Sequence, residues 1–368
     1  MTSSRLRAAI IGTGRVASLL ERDPLRSKPH THAAWYRACY DTDLVAGCDI
    51  DTERLAAFGI DWGLPAESLY TDYRNMLARE RPDLVSICGY APDRLAMVRA
   101  AVACGARGLW VEKAIACSID EADDMLALVR EKGVAVVVDQ PRRGDSRYRA
   151  VGRAIADGTF GALQSIHCAM SGHLMHTGIH AWDVLHFWIG PWREARAWLS
   201  ASSAEAAAQA RVGDPLRVRE GRHGPLPGDD ADALDGGGHA HILFENGTHV
   251  FVSGSVKRYF VFQFDLWFDA GRVRIGNDVD EVQIPEPSPR YSGFVELGSG
   301  DPLDPVPPAR PLVEDLVHAV RTGDEPWMSL PAAREAFVLG AALFQSDLEC
   351  HRAVTPDQVR RDLYIASV

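Results

Sequence analysis

The stretch LRAAIIGTGRVA (residues 6–17) decides the fold of this chain. LRAAIIG is a short apolar run typical of a buried strand, and glycines follow at positions 12 and 14. In such a turn Gly12 permits a tight bend, Gly14 lets a pyrophosphate approach the backbone, and Ala17 allows close packing of a helix on the sheet. Because the motif lies between a strand and a helical segment, it predicts dinucleotide binding. The predicted cofactor-binding loop comprises Gly12, Gly14, Arg15 and Val16.

The first 140 residues continue this pattern, with apolar runs of four to eight residues alternating with helical segments. Such alternation predicts a doubly wound parallel sheet of the Rossmann type. One segment does not fit the pattern. ERDPLRSKPHTH (21–32) carries two prolines and is interpreted as an insertion that interrupts or extends the first helix.

Composition narrows the functional class. A chain of 368 residues suggests two domains, and 46% hydrophobic with 24% charged residues is typical of a globular protein. The net charge of -11 argues against a nucleic-acid partner. We find no membrane-spanning run and no apolar signal segment. Seven scattered cysteines without a CxxC pair indicate reduced thiols, and we expect a cytoplasmic protein.

The second half predicts an α+β domain. Strand-like runs are joined by the turns ENGT (245–248) and DAGR (269–272), which favour hairpins in a largely antiparallel, open sheet. We predict a Rossmann domain over 1–140 and a substrate and oligomerisation domain over 141–368. The closing helices at 312–350 are expected to pack back towards the Rossmann domain. The long loops at 212–238 and 285–311 are lids, interface arms or disordered segments, and the sequence does not choose among these.

An acid at the end of the second strand is expected to bind the cofactor ribose. Asp49 lies there, 37 residues beyond Gly12 where the fingerprint expects about 20, which agrees with an insertion between them. Asp51 is the alternative acid. The acid favours NAD, whereas Arg54 nearby leaves NADP open.

The fifth strand ends in WVEKA, with Glu112 and Lys113. Ligands of open α/β sheets bind beyond the carboxyl ends of the strands. Lys113 is therefore placed to reach a substrate, where an ammonium can stabilise the alkoxide form of a hydroxyl. Glu112 and Lys113 are also assigned to cofactor binding at the same edge.

The segment SGHLMHTGIHAWDVLHFW (171–188) is rich in histidine. A helix beginning near Thr177 would put His180 and Asp183, three residues apart, on one face. Histidine has an ordinary pKa near 6.5, so His180 is predicted to be the general acid/base, with His176 as second candidate. The spacing of His173, His176 and His180 crosses a strand–loop–helix boundary and matches no metal signature, so no metal is predicted.

Other basic and histidine residues are less distinctive. Arg142 and Arg143 follow the sixth strand and are expected to reach the cofactor crevice, and they are assigned, like Asp183, to substrate binding. His30 and His32, in the insertion, could approach the cofactor, although surface histidines are the simpler interpretation.

Taken together, GTGRVA, the acid after the second strand, VEKA with the SIDEA helix, VDQPRR and GIHAWD occur in an order that resembles the glucose–fructose oxidoreductase / inositol dehydrogenase (Gfo/Idh/MocA) family. The resemblance covers nearly the whole chain. It implies a Rossmann domain followed by a domain whose open sheet often builds dimers or tetramers. It also implies oxidation or reduction of a hydroxyl or carbonyl on a sugar, cyclitol or related polyol with NAD or NADP.

By this resemblance Lys113 matches the lysine of a Glu-Lys-Pro motif, and His180 and Asp183 match the histidine and last acid of Asp-x-Gly-x-His-x-x-Asp. The chain departs from the family at four positions. Ala114 replaces the proline, and His176 stands where the first aspartate is expected. Asp93 and Ala96 stand where asparagine and histidine are frequent.

Three hypotheses follow. The first is an NAD(P)-dependent dehydrogenase or reductase in which His180 takes the hydroxyl proton and Lys113 stabilises the charge. In the second, tightly held NAD assists epimerisation, elimination or glycoside cleavage with no net redox change. The third is a catalytically silent dinucleotide-binding regulator.

Overall fold

The computed structural model describes residues 4–200, 235, 237–256, 258–290, 293 and 295–365. The chain forms two compact units. Among the described residues the first unit runs to Asp139 and also takes in Arg310–Arg334, and the second comprises the chain from Gln140 to Ala309 together with the segment from Glu335 onward.

The first unit contains a six-stranded parallel sheet, as predicted. Its strand order is β3-β2-β1-β4-β5-β6. Neighbours β1 and β4 flank the point where the strand order reverses, which in open α/β sheets is the place where ligands bind. The strands are β1 (Leu6–Ile11), β2 (Thr42–Cys48), β3 (Leu69–Tyr70), β4 (Leu84–Ile87), β5 (Gly108–Val111) and β6 (Ala135–Val138).

Five helices accompany this sheet in the first part of the chain: α1 (His32–Ala38), α2 (Thr52–Trp62), α3 (Tyr73–Glu80), α4 (Ala91–Ala103) and α5 (Ile119–Lys132). Their ends follow local chemistry. Ser118 caps α5 by accepting a hydrogen bond from the Glu121 amide at 3.2 Å, and Gly133 ends the helix with a left-handed φ of 64°.

The expected helix directly after the glycine turn is absent. Residues 14–22 form turns and one short 3-10 segment (Leu19–Arg22), and α1 starts only at His32. The insertion therefore interrupts the helix and does not extend it. Backbone hydrogen bonds from His32 to Val16 (3.2 Å) and from Ala33 to Ala17 (3.0 Å) hold the start of α1 against the turn.

A segment from late in the chain completes the core of the first unit. Helix α8 (Leu312–Thr322) places Val313, Leu316 and Val317 in one buried cluster with residues from β1 and β5, including Leu6 and Trp110. Burial of such side chains is worth roughly 1.5–3 kcal/mol each.

The second unit is built on an eight-stranded sheet of order β14-β13-β12-β11-β7-β10-β9-β8. The β7–β10 pair is parallel and the other pairs are antiparallel, so the sheet is mostly antiparallel as predicted. The strands are β7 (Leu163–Ser171), β8 (Trp192–Leu199), β9 (Gly238–Phe244), β10 (His249–Val256), β11 (Phe262–Phe268), β12 (Gly271–Gly276), β13 (Asp280–Pro287) and β14 (Val295–Ser299).

Three further helices are α6 (Ser146–Ala156), α7 (Gly178–Ile189) and α9 (Leu330–Leu348). Both predicted hairpins form, since β9 pairs with β10 and β11 pairs with β12 across the ENGT and DAGR turns. Trp188 links α7 to the sheet by packing its ring against Phe264 at 5.0 Å between centroids.

The two predicted long loops have different outcomes. The stretch 285–311 contains the end of β13 and all of β14, which pair antiparallel, so its first half is a hairpin. The stretch 212–238 lies outside the described residues except for Asp235, Gly237 and Gly238.

Within the described part of the chain, none of the helices has the length and apolar character needed to cross a bilayer. All seven cysteines are free thiols; Cys350 is exposed, Cys88 and Cys104 are half-buried, and the other four are buried.

Candidate active site

The glycine turn follows β1 and faces the start of the β4–α4 connection. Gly12 has a φ of 87°, and a Cβ there would lie 3.0 Å from the carbonyl carbon of Cys88, so only glycine fits. At Gly14 the nearest atom to such a Cβ, an Arg54 guanidinium nitrogen, is 3.8 Å away. The backbone at Gly14 is therefore open to close approach, with a cation beside it.

Asp49, directly after β2, holds this turn in place. One carboxylate oxygen accepts hydrogen bonds from the Thr13 amide (2.8 Å) and hydroxyl (3.1 Å), and the other accepts one from the Asp51 amide (3.0 Å). Arg54 forms ion pairs with both acids, at 3.5 Å to Asp49 and 3.1 Å to Asp51. The acid and the glycine turn therefore meet at one edge of the sheet, as the motif predicts.

These residues fit a dinucleotide. An open glycine backbone beside the Arg54 cation suits a pyrophosphate, and Asp49 lies at the strand end where a ribose is expected. Arg15 is exposed and Val16 is half-buried, so this part of the turn is accessible to solvent. Asp49 is 6% exposed, and its oxygens already accept hydrogen bonds. In this structure Asp49 therefore stabilises the conformation of the glycine turn.

Glu112 is turned into the first unit and pairs with a histidine. His32 Nε2 lies 3.1 Å from Glu112 Oε1 and 3.8 Å from Asp139 Oδ2, and His32 Nδ1 lies 2.9 Å from the Ser86 hydroxyl. His32 is 2% exposed, so the interpretation of this residue as a surface histidine is wrong. Burial would raise the pKa of Glu112, but the hydrogen bond and charge of His32 outweigh burial and lower it.

Lys113 follows β5 at the same carboxyl edge and is half-buried. Its charge helps to lower the pKa of Glu112, so the ammonium and that carboxylate are electrostatically coupled. The next residue is also anchored: Arg94, 3% exposed on α4, donates hydrogen bonds to the Ala114 carbonyl and, at 2.7 Å, to the Gly89 carbonyl. A buried guanidinium therefore fixes the backbone at Ala114, the position that corresponds to the proline of the Glu-Lys-Pro motif.

In the second unit, a buried carboxylate organises the segment before α7. Asp235 accepts hydrogen bonds from the amides of Leu174 (2.7 Å), Met175 (2.5 Å) and His176 (3.2 Å). His173 begins this turn with a φ of 51°, which aims the successive amides at one point. Burial raises the pKa of Asp235, and the amide hydrogen bonds and the charge of His173 oppose that shift.

His180 and Asp183 both lie in helix α7, as predicted, but they differ in burial. His180 is half-buried and His176 is exposed, whereas Asp183 is 1% exposed. Arg143 binds Asp183 with two guanidinium contacts, Nε at 2.9 Å and Nη2 at 2.6 Å, and also donates to the Asp183 carbonyl. Burial raises the pKa of Asp183 to about 6 against the opposing effect of Arg143.

The basic pair after β6 divides between two roles. Arg143 is buried with Asp183 and so supports α7 from within the unit. Arg142 is half-buried, with its guanidinium carbon 4.0 Å from the centre of the Phe262 ring. Substrate binding by Arg142, Arg143 and Asp183 stays a prediction.

One set of three side chains in the described part of the chain, His32, Glu112 and Asp139, brings potential metal-ligand atoms within 4.8 Å of one another. His173, His176 and His180 do not form such a set there. The hydrogen bonds between His32 and its neighbours explain the first set as an ionic network without requiring a metal.

Sequence reasoning missed His32, Arg94 and Asp235 as residues that shape the site. His32 lies in a segment interpreted as an insertion, and Arg94 occurs in a helix where charged residues are usually solvated. Asp235 comes from a stretch with no periodic pattern. A buried partner for Glu112 was foreseeable, because a carboxylate at the end of a buried strand needs one.

Comparison with known proteins supports the sequence resemblance. The model of the family described as "Oxidoreductase family, NAD-binding Rossmann fold" matches residues 6–140. D-apiose dehydrogenase of Paraburkholderia graminis is 31% identical over 206 residues, 51% of each chain. D-glucoside 3-dehydrogenase of Escherichia coli is 29% identical over 185 residues, 50% of this chain and 48% of that protein. The matched part thus spans about half the length of these two relatives.

A more distant relative matches over more of the chain. The dTDP-3,4-didehydro-2,6-dideoxy-alpha-D-glucose 3-reductase of Streptomyces antibioticus is 24% identical over 335 residues, 88% of this chain and 91% of that protein.

Solved structures agree with the fold. The WlbA dehydrogenase of Bordetella pertussis, determined with NADH and UDP-GlcNAcA, has a TM-score of 0.69 at 16% identity and covers 95% of this chain and 98% of its own. The myo-inositol 2-dehydrogenase of Lactobacillus plantarum has a TM-score of 0.67 at 20% identity, with coverages of 96% and 99%.

The glycine turn, the acid after β2, the lysine after β5 and the matches to residues 6–140 lead to one conclusion. Residues 6–140 of this chain match an oxidoreductase family with an NAD-binding Rossmann fold, in agreement with the resemblance of its motifs to the Gfo/Idh/MocA oxidoreductases.

Proposed function

We propose that the protein transfers hydride between a nicotinamide cofactor and a hydroxyl or carbonyl carbon of a sugar, cyclitol or similar polyol. The observation that carries this proposal is the arrangement at one sheet edge, where the open glycine turn, Asp49 and Lys113 follow β1, β2 and β5. In an NAD-binding family, a lysine at this edge suits a role beside the reacting carbon.

The cofactor is proposed to be NAD, held by the loop of Gly12, Gly14, Arg15 and Val16 and by Asp49. When bound, it supplies the acceptor or donor of hydride. Arg54 is already paired with two acids, which supports NAD over the additional phosphate of NADP. Binding titrations with both reduced cofactors test this preference; equal binding would refute it, and tighter binding of NADPH would reverse it.

The proposed roles of the side chains follow from their chemistry. His180 accepts the proton of the substrate hydroxyl during oxidation and returns it during reduction. Lys113 donates a hydrogen bond to a substrate oxygen and stabilises negative charge on it. His176, exposed beside α7, is the second candidate for proton transfer.

A sugar-like substrate is supported by the relatives, whose names concern apiose, a glucoside and a deoxyglucose derivative. The test incubates the protein with NAD and with NADP against a panel of sugars, glycosides and cyclitols and follows absorbance of the reduced nicotinamide. We expect Lys113→Ala and His180→Ala each to lower kcat/KM by roughly 10²- to 10⁴-fold.

The matched controls are Lys132→Ala, which removes an exposed lysine on α5, and His186→Ala, which removes a histidine on the same helix as His180. Full turnover by the Lys113 or His180 variant would refute its assigned role. Turnover without added cofactor, with NAD retained through purification, would instead favour redox-neutral chemistry. Cofactor binding with no turnover of any substrate would favour the regulatory hypothesis.

We further propose a homodimer or homotetramer formed through the open face of the second sheet, where large apolar side chains including Trp198 (46%) and Phe251 (45%) are exposed. The seven free thiols support a cytoplasmic location.

A further inference from the structure

A chain of buried polar groups runs through the first unit to the carboxyl end of β5. The Ser86 hydroxyl donates to the Tyr36 hydroxyl at 2.9 Å and lies 2.9 Å from His32 Nδ1. The opposite nitrogen of His32 lies 3.1 Å from Glu112. Four side chains from α1, β4 and the end of β5 are thus joined in sequence.

The imidazole at the centre of this network is sealed from solvent. His32 is 2% exposed, and its ring lies against the Trp110 ring with 3.8 Å between centroids. A buried ring packed in this way cannot turn towards a ligand. His32 therefore influences its neighbours through hydrogen bonds at its two ring nitrogens. Those nitrogens face Ser86 and Glu112.

The network ends beside the proposed catalytic lysine. Glu112 is 6% exposed and directly precedes Lys113, whose charge lowers the pKa of Glu112. Because such an interaction is reciprocal, the Glu112 carboxylate favours the charged form of Lys113. An unpaired carboxylate at this depth would be costly, and His32 provides the partner that keeps it in place.

Several titratable or charged groups face Glu112 from the surrounding elements, and each influences its charge. They are His32 from α1, Cys88 after β4, Arg94 from α4, Lys113 after β5 and Asp139 after β6.

We propose that His32 is a positioning residue for Lys113: by holding the Glu112 carboxylate, it keeps the Lys113 ammonium charged and directed at the substrate edge. This inference rests on the proposed function for its catalytic meaning, but its physical content is a property of Lys113 that can be measured without any substrate.

The test measures how readily Lys113 is acylated as a function of pH. The full-length protein is treated briefly with an amine-acylating reagent at a series of pH values, and modification of each lysine is quantified by mass spectrometry. Only the uncharged amine reacts, so the midpoint reports the charge of Lys113. Lys28 and Lys132 in the same sample serve as internal references.

We expect Glu112→Gln to lower the Lys113 midpoint by about one pH unit, because the lysine loses its anionic neighbour. His32→Leu should lower it in the same direction, whereas His32→Gln, which retains a donor towards Glu112, should restore most of the difference. The double variant with His32→Leu and Glu112→Gln should shift no further than Glu112→Gln alone.

The matched control is Tyr36→Phe, which removes the hydroxyl at the far end of the network and leaves the contact between His32 and Glu112 intact. It should leave the Lys113 midpoint unchanged. An unshifted midpoint in Glu112→Gln would overturn the inference even if His32→Leu does not fold. A Tyr36→Phe shift as large as that of His32→Leu would also overturn it, because the effect would then be a general one on packing.

With an active substrate, Glu112→Gln and His32→Leu should lower kcat and move the alkaline limb of the kcat/KM profile to lower pH, and Tyr36→Phe should do neither. A shifted labelling midpoint in a protein that turns over no polyol would refute the proposed function and leave the positioning role intact. Normal turnover of a polyol with an unshifted labelling midpoint would support the proposed function and refute the positioning role of His32.

Discussion

At the scale of single residues, the buried pair of Asp183 and Arg143 makes stability depend on pH. The pKa of Asp183 is raised from 3.8 to about 6, so between these values the folded protein binds a proton that the unfolded chain has released. Stability from this group is therefore fully present below about pH 4 and is lost as the pH rises through 6. The shift corresponds to a loss on the order of 3 kcal/mol.

We predict that Asp183→Asn removes this part of the pH dependence, because the amide does not titrate. Urea unfolding of both proteins between pH 4 and pH 7.5 measures the difference. Asp265→Asn, which also removes an arginine-paired acid, should keep the wild-type dependence. Parallel pH profiles for wild type and Asp183→Asn would show that burial does not raise the pKa of the Asp183 carboxyl.

Single residues also show what sequence can predict about the site. Gly12, Asp49 and Lys113 were located because turn chemistry and strand ends impose their positions. His32 and Asp235 were not, because each acts through contacts between parts of the chain distant in sequence. The burial of Asp183 was likewise unforeseen, since helical spacing assigns a face and leaves open what packs against it.

At the scale of secondary-structure elements, the turn before α7 depends on a carboxylate from outside that turn. Three consecutive amides, from Leu174 to His176, share Asp235 as acceptor. An amide left without its acceptor in a buried place costs about 1–3 kcal/mol. The turn that precedes α7, the helix that carries His180, therefore depends on Asp235 for its conformation.

We predict that Asp235→Ala accelerates hydrogen exchange of the amides at 174–176 and lowers activity, with Asp235→Asn retaining part of both because one oxygen acceptor remains. Exchange followed by mass spectrometry measures the first effect. Asp269→Ala, which removes the acceptor of the Ala162 amide in a surface turn, is the control. Unchanged exchange at 174–176 in Asp235→Ala would contradict this account.

The sequence predicts the helices and strands more reliably than their exact positions and pairings. The parallel and antiparallel sheets follow from the pattern of apolar runs and turn residues. The helix expected after Ala17 did not form there, because the proline-bearing insertion delays it to His32. The pairing of β7 with β10 joins strands separated by nearly half of the second unit, which local sequence patterns do not encode.

At the scale of the whole molecule, the open sheet face of the second unit is the surface on which we expect subunits to meet. Trp198, Phe251 and Trp267 lie on that face and are 46%, 45% and 38% exposed. Exposed apolar surface of this kind marks protein interfaces.

Phe251→Glu is predicted to shift the protein to a smaller assembly in sedimentation or light-scattering experiments. Leu25→Glu, a matched change at a leucine that is 94% exposed in the first unit, should leave the assembly unchanged. A wild-type monomer, or a Phe251→Glu protein of unchanged mass, would refute an interface on this face.

The completion of the first core by α8 has a practical consequence for the biosynthesis of the chain. Val313, Leu316 and Val317 cover apolar residues of β1 and β5 that the ribosome delivers some 200 to 300 residues earlier. Until that segment emerges, the nascent N-terminal sheet carries an uncovered apolar surface, the condition in which intermediates aggregate. A truncated gene product ending near residue 140 would keep that surface permanently and should require a chaperone or the missing helix supplied as a peptide.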